Sequence, residues 1–178
     1  MALLIPDEGL EPVPRPAAIA CVVGFVAVML HAALVTGGIP IIDYANLMFH
    51  EAGHRVFGWA SYYTVLLGGT YGQLLVPLIC TFIFLRRGET TGVAVCVFWL
   101  FENFLDIANY MADARAASQP LVGGDESDWA ILFNHWGVLQ KDLVIASWVR
   151  GIGWIGMLAT LAWVAWMYVT RPAPRRMF

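Results

Sequence analysis

An all-α integral membrane bundle of four to five helices is the fold the sequence predicts, and three observations carry it. Hydrophobic residues make up 60% of the 178 residues, charged residues only 13%, and mean hydropathy is +0.68; soluble domains carry roughly 25% charged residues. Several apolar runs approach the ~20 residues that a helix needs to cross a bilayer. Between them lie Gly37-Gly38-Ile39-Pro40, Arg86-Arg87-Gly88-Glu89 and a polar stretch from Gln119 to Lys141, which read as connections. A chain this short cannot bury such runs in a core of its own, so the lipid bilayer is the expected partner.

The net charge of −3 argues against nucleic acid, which requires a basic face. Cys21, Cys80 and Cys96 each lie inside an apolar run without Cys-x-x-Cys spacing and read as reduced, buried thiols. The opening residues lack a basic n-region, so the first apolar run is expected to be a retained span.

Residues 1–16, with four prolines among acidic residues, predict a disordered or extended tail. A single transmembrane domain is expected over 17–170. Its first span runs from Ala17 to Thr36, with His31 as an interfacial or hydrogen-bonded side chain. A second helix begins near Ile41. On it Asp43, Asn46, His50 and His54 fall within about 80° of arc at 100° per residue, and Glu51 and Arg55 add further polarity. It is too polar for a lipid-facing span, and is expected inside the bundle or part-way into the bilayer.

Gly68-Gly69-Thr70-Tyr71-Gly72 predicts irregular backbone before the third helix, as a connecting or a substrate-facing loop. That span continues to Leu85, with a kink at Pro77. The fourth helix, about Thr91 to Ser118, gathers Glu102, Asn103, Asp106, Asn109, Tyr110 and Asp113 into an arc of about 120°. Carboxylates in a span must be paired, hydrated or metal-bound, so this stripe should face inward. The loop 119–141 is acidic, and Trp129, Phe133, Trp136 and Leu139 suggest a short amphipathic segment within it. The last span runs from Leu143 to about Val169 with Gly151, Gly153 and Gly156 as a close-packing face, and a basic tail follows over 171–178. Excess Arg at the 86–87 turn and in that tail places both on the cytoplasmic side and the 119–141 loop outside. A partly inserted second helix leaves the N-terminus inside as well; a full crossing moves it outside.

The chemistry centres on Phe49-His50-Glu51-Ala52-Gly53-His54. Two histidines four residues apart on a helix can close on one Zn²⁺, with Glu51 beside them to polarise a water. Catalytic zinc takes three protein ligands. Asp106, deep in its span, is the expected third, with Asp113 and His135 in reserve. Asp43 is placed to orient an imidazole, and Tyr110, Asn103 or Gln73 to donate to an oxyanion.

At these residues the chain resembles site-2-protease-type intramembrane zinc metalloproteases. His50, Glu51, Gly53 and His54 carry the resemblance, and Phe104-Leu105-Asp106 with Asn103 looks like a reduced form of that family's downstream motif, Ile107 standing where a glycine is usual. The chain also resembles small uncharacterised bacterial membrane proteins with a His-Glu-x-Gly-His box and an Asp-x-x-x-Tyr-x-x-Asp-Ala-Arg segment, here Asp106 to Arg115. The resemblance implies a multi-pass protein of a bacterial inner membrane. Its activity would be zinc-dependent hydrolysis of a membrane protein or peptide, with a metal-activated water and Glu51 as general base. Alternatives from other classes are a non-catalytic metal-binding scaffold, a transporter, or a haem-binding redox protein.

Overall fold

The computed structural model describes residues 9–35, 40–120, 122 and 126–171. Among these are six α-helices and no strand: α1 (Arg15–Leu34), α2 (Pro40–Val56), α3 (Tyr62–Arg87), α4 (Thr90–Ala112), α5 (Asp128–His135) and α6 (Asp142–Thr170), with a 3₁₀ turn at Leu139–Lys141 before α6. Four stretches are long and apolar enough to cross a membrane: α1, α3, α4, and the 3₁₀ turn continued through α6. The described residues thus form an all-α helical bundle whose four long apolar helices are compatible with a multi-pass membrane protein. The break at Gly37, Gly38 and Ile39, the loop residues Gly123, Gly124 and Asp125, and the tail arginines Arg175 and Arg176 lie outside the described residues.

The chain divides into two compact units. One comprises Met1–Ile39, Pro77–Leu100 and Ile155–Phe178. In it the Phe25 and Phe98 rings stack with centroids 4.0 Å apart, and Val13, Ala18 and Met167 form a small core with Leu10 and Trp163 around it. Of the tail expected to be disordered or extended up to Pro16, residues 9–14 lie outside any helix and are held against this unit. Val13 is buried, the Glu11 amide donates to the Gly88 carbonyl at 2.9 Å, and the Glu11 carbonyl accepts from the Thr90 hydroxyl. Apolar burial together with two backbone hydrogen bonds offsets the ordering of a short, proline-stiffened strap.

The other unit comprises Pro40–Val76 and Phe101–Trp154. Its core is Ile107, Met111, Ala114, Trp129, Leu132, Phe133 and Ala146, with Leu66, Leu67 and Leu74 packed against it. The amphipathic segment expected in the 119–141 loop is α5, whose Trp129, Leu132 and Phe133 supply the buried face.

Between Ser61 and Gln73 the structure differs from the expected loop. Helix α3 runs unbroken through Gly68, Gly69 and Gly72. The glycines serve contact instead of turning: a Cβ on Gly72 would stand 2.2 Å from the Phe49 carbonyl oxygen, and one on Gly53 2.0 Å from that of Gly68. Main chain therefore meets main chain where α2 crosses α3, which only residues without a Cβ permit. In α6 the close approach is at Gly153, where a Cβ would lie 2.9 Å from the Phe101 carbonyl oxygen; at Gly151 the space is open. Helix α4 ends at Ala112, earlier than the expected Ser118, because the Asp113 carboxylate accepts the amides of Ser118 and Gln119 at 2.9–3.1 Å and folds the chain into a turn.

Candidate metal centre

Helix α2 presents His50 and His54 on consecutive turns of one face, their ring centroids 4.7 Å apart. The donor atoms of His50, Glu51 and His54 lie within 4.8 Å of one another, a group able to hold a metal ion. His50 is buried, at 6% exposure, while Glu51 and His54 are half-buried.

Each imidazole is held from behind through Nδ1. The His54 Nδ1 lies 2.8 Å from the Val65 carbonyl oxygen. A carbonyl can only accept, so that nitrogen carries the proton and Nε2 is turned inward. For His50 the partner is the Gln73 Oε1, 2.9 Å from Nδ1. Gln73 is oriented in turn by its amide nitrogen, which donates to Asp106 at 2.7 Å. Because the Asp106 carboxylate is an acceptor, the amide oxygen must face His50, and the His50 Nδ1 must donate to it. Metal-ligating histidines are typically fixed by such an outer hydrogen bond.

The two inward nitrogens meet a carboxylate the sequence reading did not choose. Asp128 Oδ2, from the first turn of α5, lies 3.1 Å from His50 Nε2 and 3.2 Å from His54 Nε2. With both Nδ1 protons committed outward, neutral imidazoles aim two lone pairs at an oxygen that is also an acceptor. Either a proton on an imidazole Nε2 or on the carboxyl closes these contacts, as in an imidazolium–carboxylate pair, or a cation satisfies all three atoms at once. The spacing fits a cation, since ligand atoms on tetrahedral zinc with arms of about 2.0–2.1 Å stand about 3.3 Å apart. Room for the ring is left by Gly69 of α3, where a Cβ would sit 2.4 Å from His50 Nε2.

The expected site residues thus separate into distinct places. Asp106 is not at the imidazole pair; it reaches His50 through Gln73, and the carboxylate at the pair is Asp128. Gln73 holds His50 through Nδ1, on the side of the ring away from Asp128. Tyr110 lies edge-on to His50 at 5.7 Å, and its hydroxyl accepts the Asp128 amide at 3.1 Å, securing the start of α5. Asp113 closes the turn after α4. His135 stacks on Tyr63 at 3.8 Å and anchors the end of α5. Asn103 is fully buried on α4; beside it Glu102 accepts from Asn46 of α2 at 3.1 Å. Asp43 lies within electrostatic reach of Glu102 and Asp106.

The segment from Asp106 to Arg115 braces the helices around the imidazole pair. Asp106 orients Gln73, Tyr110 holds α5, Asp113 shapes the turn, and Arg115 grips Asp142 at the start of α6 through two contacts of 2.7 and 2.8 Å. Arg150 of α6 donates to Asn109 at 2.8 Å. Together these bonds tie α3, α4, α5 and α6 around the His box.

Comparison with protein-family models, curated proteins and solved structures returns no match. Asp128 had one usable signal in the sequence: it opens an amphipathic segment, with Trp129, Leu132 and Phe133 behind it. The Val65 carbonyl had none.

Proposed function

We propose that this is a membrane-embedded zinc-dependent hydrolase, with peptide hydrolysis as its reaction and a bacterial inner membrane as its setting. His50, His54 and Asp128 would hold the ion, and Glu51 would be the general base. One observation carries the reading. The Asp128 Oδ2 lies 3.1 and 3.2 Å from the two Nε2 atoms while both imidazoles are pinned through Nδ1 from behind, and the donor atoms of His50, Glu51 and His54 lie within 4.8 Å of one another.

Zinc, when bound, acidifies water and polarises a carbonyl. The chain supplies the rest. Glu51, one residue from His50, takes a proton from the attacking water and returns it to the leaving amine. Gln73 and the Val65 carbonyl keep both Nε2 lone pairs aimed inward throughout, and Tyr110 keeps Asp128 in place through the α5 amide.

Metal analysis of the purified protein, paired with cleavage of a quenched transmembrane peptide in proteoliposomes, tests this. Wild type should carry about one zinc. His50→Ala and Asp128→Ala should lose it, and Glu51→Gln should keep it while cleavage falls by 10²-fold or more, the scale of a lost general base. Zinc retained in Asp128→Ala would remove Asp128 from the ligand set. Undiminished cleavage by Glu51→Gln would leave a metal-binding scaffold in place of a hydrolase.

A further inference from the structure

Helix α2 is amphipathic in the inverse sense of a soluble helix. Its polar face is the buried one, with Asn46 at 0% and His50 at 6% exposure, while Ile41, Tyr44, Met48 and Val56 are 64–84% exposed. With Ala52, also exposed, these five apolar residues form one stripe, spaced three or four apart. The one exposed charge within its arc, Arg55, lies in the last turn, where a guanidinium can snorkel to the headgroups. A helix resting on a membrane surface would turn its polar side to water. Here that side is taken by Gln73, Asp128 and Glu102.

Connectivity then fixes how α2 enters the membrane. Just before α1, Glu11 is bonded to Gly88 in the α3–α4 turn, and the Leu10 carbonyl accepts from Arg171 at the end of α6. The start of α1, the end of α3, the start of α4 and the end of α6 therefore share one membrane face. As a span, α1 delivers Val35 to the opposite face; α3, which ends on the first face, must begin on that opposite face too. Both connections to α2 thus lie on the same side. Arg86, Arg87 and Arg171 mark the other side as cytoplasmic.

We propose that α2 is inserted from the non-cytoplasmic face without crossing, both of its connections lying on that side, with the Ile41–Tyr44–Met48–Ala52–Val56 stripe against lipid acyl chains. Its 17 residues are about 25 Å long at 1.5 Å per residue, short of the ~30 Å hydrocarbon core. Exposed Trp59 and Tyr62 follow its C-terminal end, where aromatic side chains favour the headgroup level. The His box is then served from the non-cytoplasmic side, whatever reaction it performs.

Reporter fusions on the unmodified chain give the first test. A fluorescent protein and a periplasmic phosphatase, each placed at either terminus, should report the cytoplasm at both ends; termini on opposite faces would make α2 a full crossing and end the proposal. In a background with Cys21, Cys80 and Cys96 replaced, Val35→Cys and Ser61→Cys should both react with a membrane-impermeant maleimide from the non-cytoplasmic side. Labelling of Val35→Cys from the cytoplasm alone overturns it. Spin labels at Tyr44, Met48 and Val56 should collide with oxygen at least several-fold more than with a water-soluble nickel chelate. Dominant nickel collisions would mean water on that face, and protection from both probes a covering protein; either refutes the lipid contact. None of these readouts depends on metal or on hydrolysis, so the topology and the proposed activity can fail separately.

Discussion

At the scale of single residues, Gln73 shows how far the site depends on groups that never meet the metal. Its amide is read in both directions, donating to Asp106 and accepting from His50. Gln73→Leu keeps the bulk and removes both bonds, freeing the His50 ring to rotate. Zinc affinity is expected to fall 10–100-fold, the usual effect of losing such an outer partner, and competition with a fluorescent zinc chelator would measure it. Asp113 illustrates a purely architectural carboxylate. Burial works against its charge, but the Ser118 hydroxyl and the amides of Ser118 and Gln119 outweigh burial and hold its carboxyl below the ordinary value. A folded-state value below the unfolded one stabilises the fold above the unfolded pKa of about 3.9 and loses that contribution as pH falls through the folded value. Asp113→Ala is therefore expected to cost about 1–3 kcal/mol near neutrality. Thermal melts should show the gap from wild type closing below about pH 4.

At the scale of elements, the crossing of α2 and α3 is the point of greatest sensitivity. Gly72 lies against the main chain of Phe49 and Gly53, so an added methyl meets backbone, which cannot rotate away. Gly72→Ala is expected to destabilise the protein by about 1–3 kcal/mol, the range of overpacking, and to lower bound zinc because α2 carries both imidazoles. Gly151→Ala, on α6 where nothing lies within 4 Å of the new Cβ, is the control, and its melting temperature and zinc content should match wild type. The His-box pattern on α2 was legible because hydrogen-bonding side chains at i and i+4 share a face of any helix. The glycines of α3 were not. A glycine run reads locally as a turn, and only a second helix lying across it reveals that the missing side chains are what permit contact.

At the scale of the whole molecule, the proposed metal clasps α2 to α5, so binding and folding should be linked. A ligand bound only by the native state adds about 2.7 kcal/mol at a free concentration one hundred times its Kd. Stripping zinc with a chelator is expected to lower the unfolding temperature and re-addition to restore it, while Asp128→Ala, already without the clasp, should respond to neither. A wild-type melt indifferent to chelation would count against metal between these helices.

The sequence alone determined what neighbouring residues determine: four apolar runs long enough to cross a bilayer, a polar helix carrying the His box, and an amphipathic segment late in the chain. These follow from hydropathy and helical periodicity, which act over a turn or two. Tertiary structure alone decided which groups meet the imidazoles. Asp128 lies 78 positions from His50, and Gln73, not Asp106, touches His50 from the far side. The carbonyl that fixes His54 belongs to Val65, whose side chain is irrelevant to the contact. Convergence of this kind depends on how helices cross and on backbone groups every residue possesses, and no spacing along the chain encodes either one.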